Sequence, residues 1–389
     1  MRKLFIVCAL ALTACAAKAP LSSEVVRSEM ARCPEASYLD GLEGKLKWNY
    51  TTGLELKAFL DVWEAYGEDA VFDYVEAWYD AVIDSTGTIY KYKKSNYSTD
   101  HVCPGRTLFR LWDITGKEKY RTAMDTLFAQ IQSQPRTPEG GFWHKQVYPN
   151  QMWLDGLYMA QPFYAEYTRR FVPDSLKAAC YEDIVLQFQT VYEHTLDPET
   201  GLLRHAWDAS HEMFWCNPET GQSDHAWGRA MGWYAMALVD VIEILPAGEA
   251  HDALVHILNS VMNGVLLFAD EKTGMWYQVI DSPYREGNYL EATCSAMFVY
   301  TLLQGCRLAV LEQVNRQDAE ARYADLLKTF VRVDEEGLVN LDHCCEVAGL
   351  GGKDNRRGDY DYYINEKVRP NDPKGIGPLI WAALEYERP

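Results

Sequence analysis

The chain has 389 residues, a formal net charge of −19 and 48% hydrophobic residues. That is enough chain for one large domain or two ordinary ones, and so acidic a surface argues against a nucleic-acid or anionic-membrane partner. It leaves room for an anionic small substrate, because a local cluster of Arg, Lys and His can oppose the overall field.

In chain order, Arg2 and Lys3 precede an apolar run, Leu4 to Leu12, that is too short to span a bilayer. Leu12-Thr13-Ala14-Cys15 follows, with the look of a bacterial lipobox. The pattern predicts a lipoprotein signal peptide over 1–14 and lipidation at Cys15, with an ordinary signal cut after Ala17 or Ala19 as the alternative. The predicted location is therefore periplasmic or anchored to the cell envelope, and the only membrane contact expected is the N-terminal lipid. Residues 15–44 are small and polar and read as a tether and lead-in, which leaves 45–389 as the folded domain. Of the ten cysteines, the eight at 33, 103, 180, 216, 294, 306, 344 and 345 lie beyond Cys15. They show no CxxC and no zinc-type pairing with His, so no metal site is expected and free thiols are the default.

Helical periodicity predicts helices over 48–66, 68–84, 100–114, 117–133, 151–169, 175–195, 225–244, 249–268, 289–308, 315–331 and 375–387. The connections repeat an acidic or Pro turn, a glycine and a short β-like run, at Gly87, Gly141, Gly201, Gly274 and Gly337. Their spacing, about 54 to 73 residues, fits a helix pair plus a loop. Five or six such pairs suggest a closed α/α toroid, with an open solenoid as the alternative. In a toroid the loops after each glycine and the starts of the next inner helices face one cleft. Those positions carry Tyr50, Asp100, His144, Lys145, Trp153, Asp155, His205, Trp227, Arg229 and Trp233. Aromatic walls with a few charges suit sugars, whose C–H faces pack on rings while their hydroxyls need polar partners. Taken alone, Asp155 also fits a first-turn acid that complements a helix dipole, and Asp100 a helix cap.

Three segments, Asp100 to Leu108, Phe142 to Tyr167 and His225 to Trp233, together resemble the unsaturated rhamnogalacturonyl hydrolases, glycoside hydrolase family 105. The related unsaturated glucuronyl hydrolases share part of the pattern. The resemblance implies an all-α (α/α)6 barrel, and hydration of the C4=C5 double bond that a polysaccharide lyase leaves on a uronic acid, without metal or organic cofactor. Position by position, Asp155 resembles the general acid/base and Asp100 its partner carboxylate. His205, Arg229, Trp227 and Trp233 resemble the lining of the unsaturated-sugar subsite, and His144, Lys145, Trp153 and Tyr50 other cleft positions. Thr99 departs from the bulky apolar residue expected before Asp100.

The chemistry asks for the same residue types. Protonation at C4 builds oxocarbenium character at C5, water adds there, and the hemiketal opens; one carboxylic acid can give the proton and then accept one from water. Burial beside Trp153 and a like charge on Asp100 are expected to raise the Asp155 pKa, and Arg229, Lys145 or a His to hold the substrate carboxylate. The segment from Gly349 to Lys374 reads as a loop over the cleft mouth. Two alternatives stay within the fold: a two-carboxylate glycosidase on a saturated sugar, and an epimerase using His144 and His205. A third is a surface glycan-binding lipoprotein.

Overall fold

A computed structural model describes residues 19–388; the predicted signal peptide and Cys15 lie outside the described residues. Thirteen α-helices carry the described fold: α1 (Leu21–Arg32), α2 (Tyr50–Tyr66), α3 (Asp69–Val82), α4 (Gly105–Thr115), α5 (Glu118–Gln132), α6 (Leu154–Phe171), α7 (Asp174–Thr195), α8 (Gly228–Ile244), α9 (Glu249–Leu267), α10 (Ala292–Arg307), α11 (Arg316–Phe330), the short α12 (Tyr360–Ile364) and α13 (Pro373–Glu387). Helices α2, α4, α6, α8, α10 and α13 pack side by side into a closed inner ring, and each carries one outer helix. The toroid is therefore closed, and the open solenoid is excluded.

Burial separates the two rings as the sequence pattern requires. Residues Gly228 to Ile242 of α8 are buried on every side. The outer α3 buries a single stripe, Val71, Tyr74, Val75, Trp78, Tyr79 and Val82. Among the described residues there is no helix long and apolar enough to cross a membrane, and the eight cysteines are free thiols.

The N-terminal boundary is corrected by the structure. The domain begins at Leu21, not 45, because α1 is the outer partner of the C-terminal α13. Val25 and Val26 are fully buried. Ser22 bonds the Glu387 carboxylate, and Ser28 accepts from the Val339 amide at 2.9 Å. The stretch looks polar because Ser22 and Ser28 are the residues that meet these partners.

The repeated turns occur as predicted, with one shift. Gly87, Gly201, Gly274 and Gly337 have positive φ, but in the second turn Gly140 takes that role, at φ 92°. At Gly141 the requirement is space: a Cβ there would meet the Met152 sulfur at 2.1 Å. Three antiparallel ribbons complete the chain, β1 (Gln151–Trp153) with β2 (Ala206–Asp208), β3 (Val331–Val333) with β4 (Val339–Leu341), and β5 (Cys344–Cys345) with β6 (Val368–Arg369). The first of these builds the site.

Candidate active site

Asp155 stands in the first turn of α6, where free backbone N–H groups favour a carboxylate. Just upstream, β1 pairs with β2 in the register Trp153↔Ala206, and the Leu154 amide donates to the His205 carbonyl at 3.1 Å. That register seats the His205 ring against Asp155, Nε2 to Oδ2 3.2 Å, with His205 fully buried and the Asp155 side chain 16% exposed. The contact is close but poorly aligned, so neither atom has a well-directed hydrogen bond. On the far side of the ring, Nδ1 lies 2.7 Å from the Tyr363 hydroxyl.

Asp100 is held differently. Residues 99–101 form a 3-10 turn and α4 starts only at Gly105, so Asp100 caps no helix and the predicted start at 100 is early. Its Oδ2 meets Lys145 Nζ at 2.5 Å and its Oδ1 lies 3.5 Å from His144 Nε2. Thr99 lies 3.1 Å from His144 Nδ1 through its hydroxyl, and its backbone amide donates to the His144 carbonyl at 3.1 Å. A bulky apolar side chain could make no such hydroxyl contact, which gives the departure at Thr99 a polar role.

The electrostatics overturn one expectation. Burial pushes the Asp155 pKa up, but the His205 imidazole 3.2 Å away, then His144, outweigh it, and the net displacement is downward. The like charge on Asp100 was expected to push the same way as burial; instead it is neutralised by its own partners. For Asp100 too, burial raises and Lys145, then His144, lower it below the ordinary range. Burial drives His144 down to about 4 against the pull of Asp100, so that ring is neutral near pH 7.

Aromatic rings make the walls. His144 stacks on Trp153 at 4.7 Å, and Tyr148 stacks on Trp153 at 5.0 Å. His205 leans on Trp227 at 4.9 Å, and Trp227 stacks on Tyr363 at 5.9 Å. Beside them a cleft of about 650 Å³ opens between Trp48, Tyr50, Asp100, Lys145, Val347 and Lys374, in the range of small-molecule sites.

The structure thus brings Asp155, His205, His144, Trp153 and Trp227 together, with Asp100, Lys145 and Tyr50 at the adjoining cleft. Trp233 is not a cleft residue: it is core, packed on Tyr158 at 4.8 Å and reaching the site only through Tyr50 at 6.4 Å. Arg229 lies beneath the floor, over the Trp227 ring at 4.9 Å, with Nη1 donating to the Cys345 carbonyl at 2.6 Å. It pairs with neither Asp224 nor Asp240; Asp240 takes Arg106 at 2.6 Å. The Arg229 Nη2 is buried without a partner. Sequence reasoning missed Tyr363 and Gln278, which carry no periodic signal and reach the site only through folding, and passed over Tyr148 within the Phe142 to Tyr167 segment.

Comparison with known proteins agrees with this geometry. The 42% identical glycoside hydrolase from family 105 of C. acetobutylicum ATCC 824 superposes with a TM-score of 0.89, over 95% of this chain and 99% of that one. The unsaturated glucuronyl hydrolase of Bacillus sp. GL1 shares the fold at 12% identity, with a TM-score of 0.68 over 94% and 95% of the two chains. Protein Atu3128 of Agrobacterium fabrum is 38% identical over 233 residues, 58% of this chain and 97% of its own. The profile of Glycosyl Hydrolase Family 88 matches residues 21–389, a span that begins with α1, and the chain is a glycoside hydrolase of that family.

Proposed function

We propose that the protein removes a 4,5-unsaturated uronic acid from the non-reducing end of lyase-generated oligosaccharides, with Asp155 as the single acid/base. The observation that carries this reading is the inequality of the two carboxylates. Asp100 is locked to Lys145 at 2.5 Å, whereas Asp155 has one misaligned imidazole contact and remains partly exposed. A two-carboxylate glycosidase needs both acids able to act on the substrate. An enol ether needs one, which protonates C4 and then takes a proton from the water that adds at C5. The hemiketal so formed opens and releases the next sugar as an alcohol.

In the free protein Asp155 lies on the ionised side. The substrate corrects this, since its own carboxylate brings a negative charge into the site and its ring displaces water, and both raise a neighbouring carboxyl pKa. The buried Nη2 of Arg229 is the donor assigned to that carboxylate. The likeness to a hydrolase described as acting on unsaturated glucuronyl groups supports the substrate class. Rhamnose on the reducing side, as in pectin-derived rhamnogalacturonan, rests on the three segments that resemble family 105. Export with a lipid on Cys15 rests on Leu12-Thr13-Ala14-Cys15.

The test is the ultraviolet absorbance of the enol ether. Purified protein is mixed with unsaturated disaccharides and with their saturated counterparts. Loss of absorbance with the unsaturated sugars alone is expected; cleavage confined to the saturated ones refutes the reading.

A further inference from the structure

The segment from Gly349 to Lys374 does not end at the cleft mouth. It turns through α12 and carries Tyr363, fully buried, into the wall behind the acid. The hydroxyl of Tyr363 lies 2.7 Å from His205 Nδ1. Its position is fixed twice more: the Tyr363 carbonyl accepts from Gln278 Nε2 at 3.1 Å, and the ring stacks on Trp227 at 5.9 Å and 21°. Gln278 accepts in turn from the Trp227 indole at 3.1 Å, so one side chain holds both rings.

A neutral imidazole has one N–H and one lone pair, and the partner at one nitrogen decides which is which. We propose that Tyr363 is a positioning residue: its hydroxyl donates to Nδ1 of His205 and so keeps the proton on Nε2, facing Asp155. The proposal rests on the reading of Asp155 as the acid/base. The opposite tautomer would set the Nε2 lone pair 3.2 Å from a carboxylate oxygen, a repulsion with nothing to offset it. Burial keeps the Tyr363 hydroxyl protonated and therefore a donor. The groups facing Asp155 are His205 from the loop before β2, His144 and Lys145 from the loop before β1, Tyr50 from α2 and Tyr363 from α12. Among them only His205 and His144 lead the lowering of the Asp155 pKa, and only His205 has a tyrosine hydroxyl at Nδ1.

When Asp155 gives its proton to C4, the carboxylate that appears is met by an N–H already on the nitrogen that faces it, 3.2 Å away. A freely switching imidazole would offer that donor only part of the time.

Two measurements test this. Ring-nitrogen NMR of the histidines in the intact protein, with the His205 signals identified by their loss in His205→Leu, is expected to show Nε2 protonated and Nδ1 as the acceptor. No substrate is needed, so this result stands or falls apart from the proposed reaction. In Tyr363→Phe, which keeps the ring and its stacking, the His205 signals should shift towards the other tautomer. There kcat should fall about tenfold, the worth of one hydrogen bond at the reacting group, while KM stays within about twofold. Protonation of Nδ1 in the wild-type protein overturns the proposal. So does a Tyr363→Phe variant with an unchanged tautomer, or one whose tautomer shifts while kcat does not.

Discussion

Replacing His205 with Leu removes the imidazole that lies 3.2 Å from Asp155 and leaves burial to act on the carboxyl without its main opponent. Burial raises the Asp155 pKa and His205 lowers it, so the variant's acid should be weaker. A hydrogen bond to a charged group contributes about 1.5–3 kcal/mol. The wild-type contact is poorly aligned, which selects the lower end, about 1.5 kcal/mol, or about one pH unit. The variant also leaves the Tyr363 hydroxyl without its acceptor, at a cost of about 1–3 kcal/mol of stability; folding is therefore checked at every pH by circular dichroism. The assay is the profile of kcat/KM against pH on an unsaturated disaccharide, followed by loss of the enol-ether absorbance. Its alkaline limb reports ionisation of the acid in the free enzyme and should move upward by about one unit. A limb that stays in place, or moves downward, refutes both the role of His205 and the assignment of Asp155 as the titrating group.

Three further outcomes follow from the same geometry. Asp155→Asn should lower kcat by at least ~10²-fold with the fold intact, because a carboxamide can neither give nor take the proton; turnover near wild type assigns Asp155 to the helix dipole instead. Arg229→Ala should weaken binding of the free acid relative to its methyl ester by about 1.5–3 kcal/mol, whereas equal losses for both ligands would make Arg229 purely structural. Glu55→Gln concerns stability: burial, with Glu29 and Asp40 adding negative charge, pushes Glu55 well above the ordinary carboxyl range. The folded state thus favours the protonated acid, and stability is lost as pH rises above the unfolded value of about 4.3. The variant's gain in Tm over wild type should grow from pH 4.5 to pH 8; a gain independent of pH contradicts the sign.

The sequence alone determined most of the architecture. Helix periodicity located eleven helices because core burial and the 3.6-residue turn leave their imprint on local residue order. The turn glycines emerged for the same reason, since a left-handed backbone is a property of one or two residues; even the shift from Gly141 to Gly140 was a matter of neighbours. Asp155, Asp100, His144, Lys145 and His205 were legible through their place after the turns. Tertiary structure alone decided the rest. Only pairing of the first and last helices shows that Leu21 to Arg32 is the outer partner of α13, because their buried faces are more than 300 residues apart in the chain. The charge state of Asp155 was likewise beyond reading: its sign depends on which nitrogen stands 3.2 Å away and on where the charge of Asp100 is neutralised. Tyr363 reaches His205 across 158 residues. Local sequence records what each residue's own backbone and burial demand, whereas a pKa or a tautomer belongs to a pair of groups that only the completed fold brings within a few ångströms.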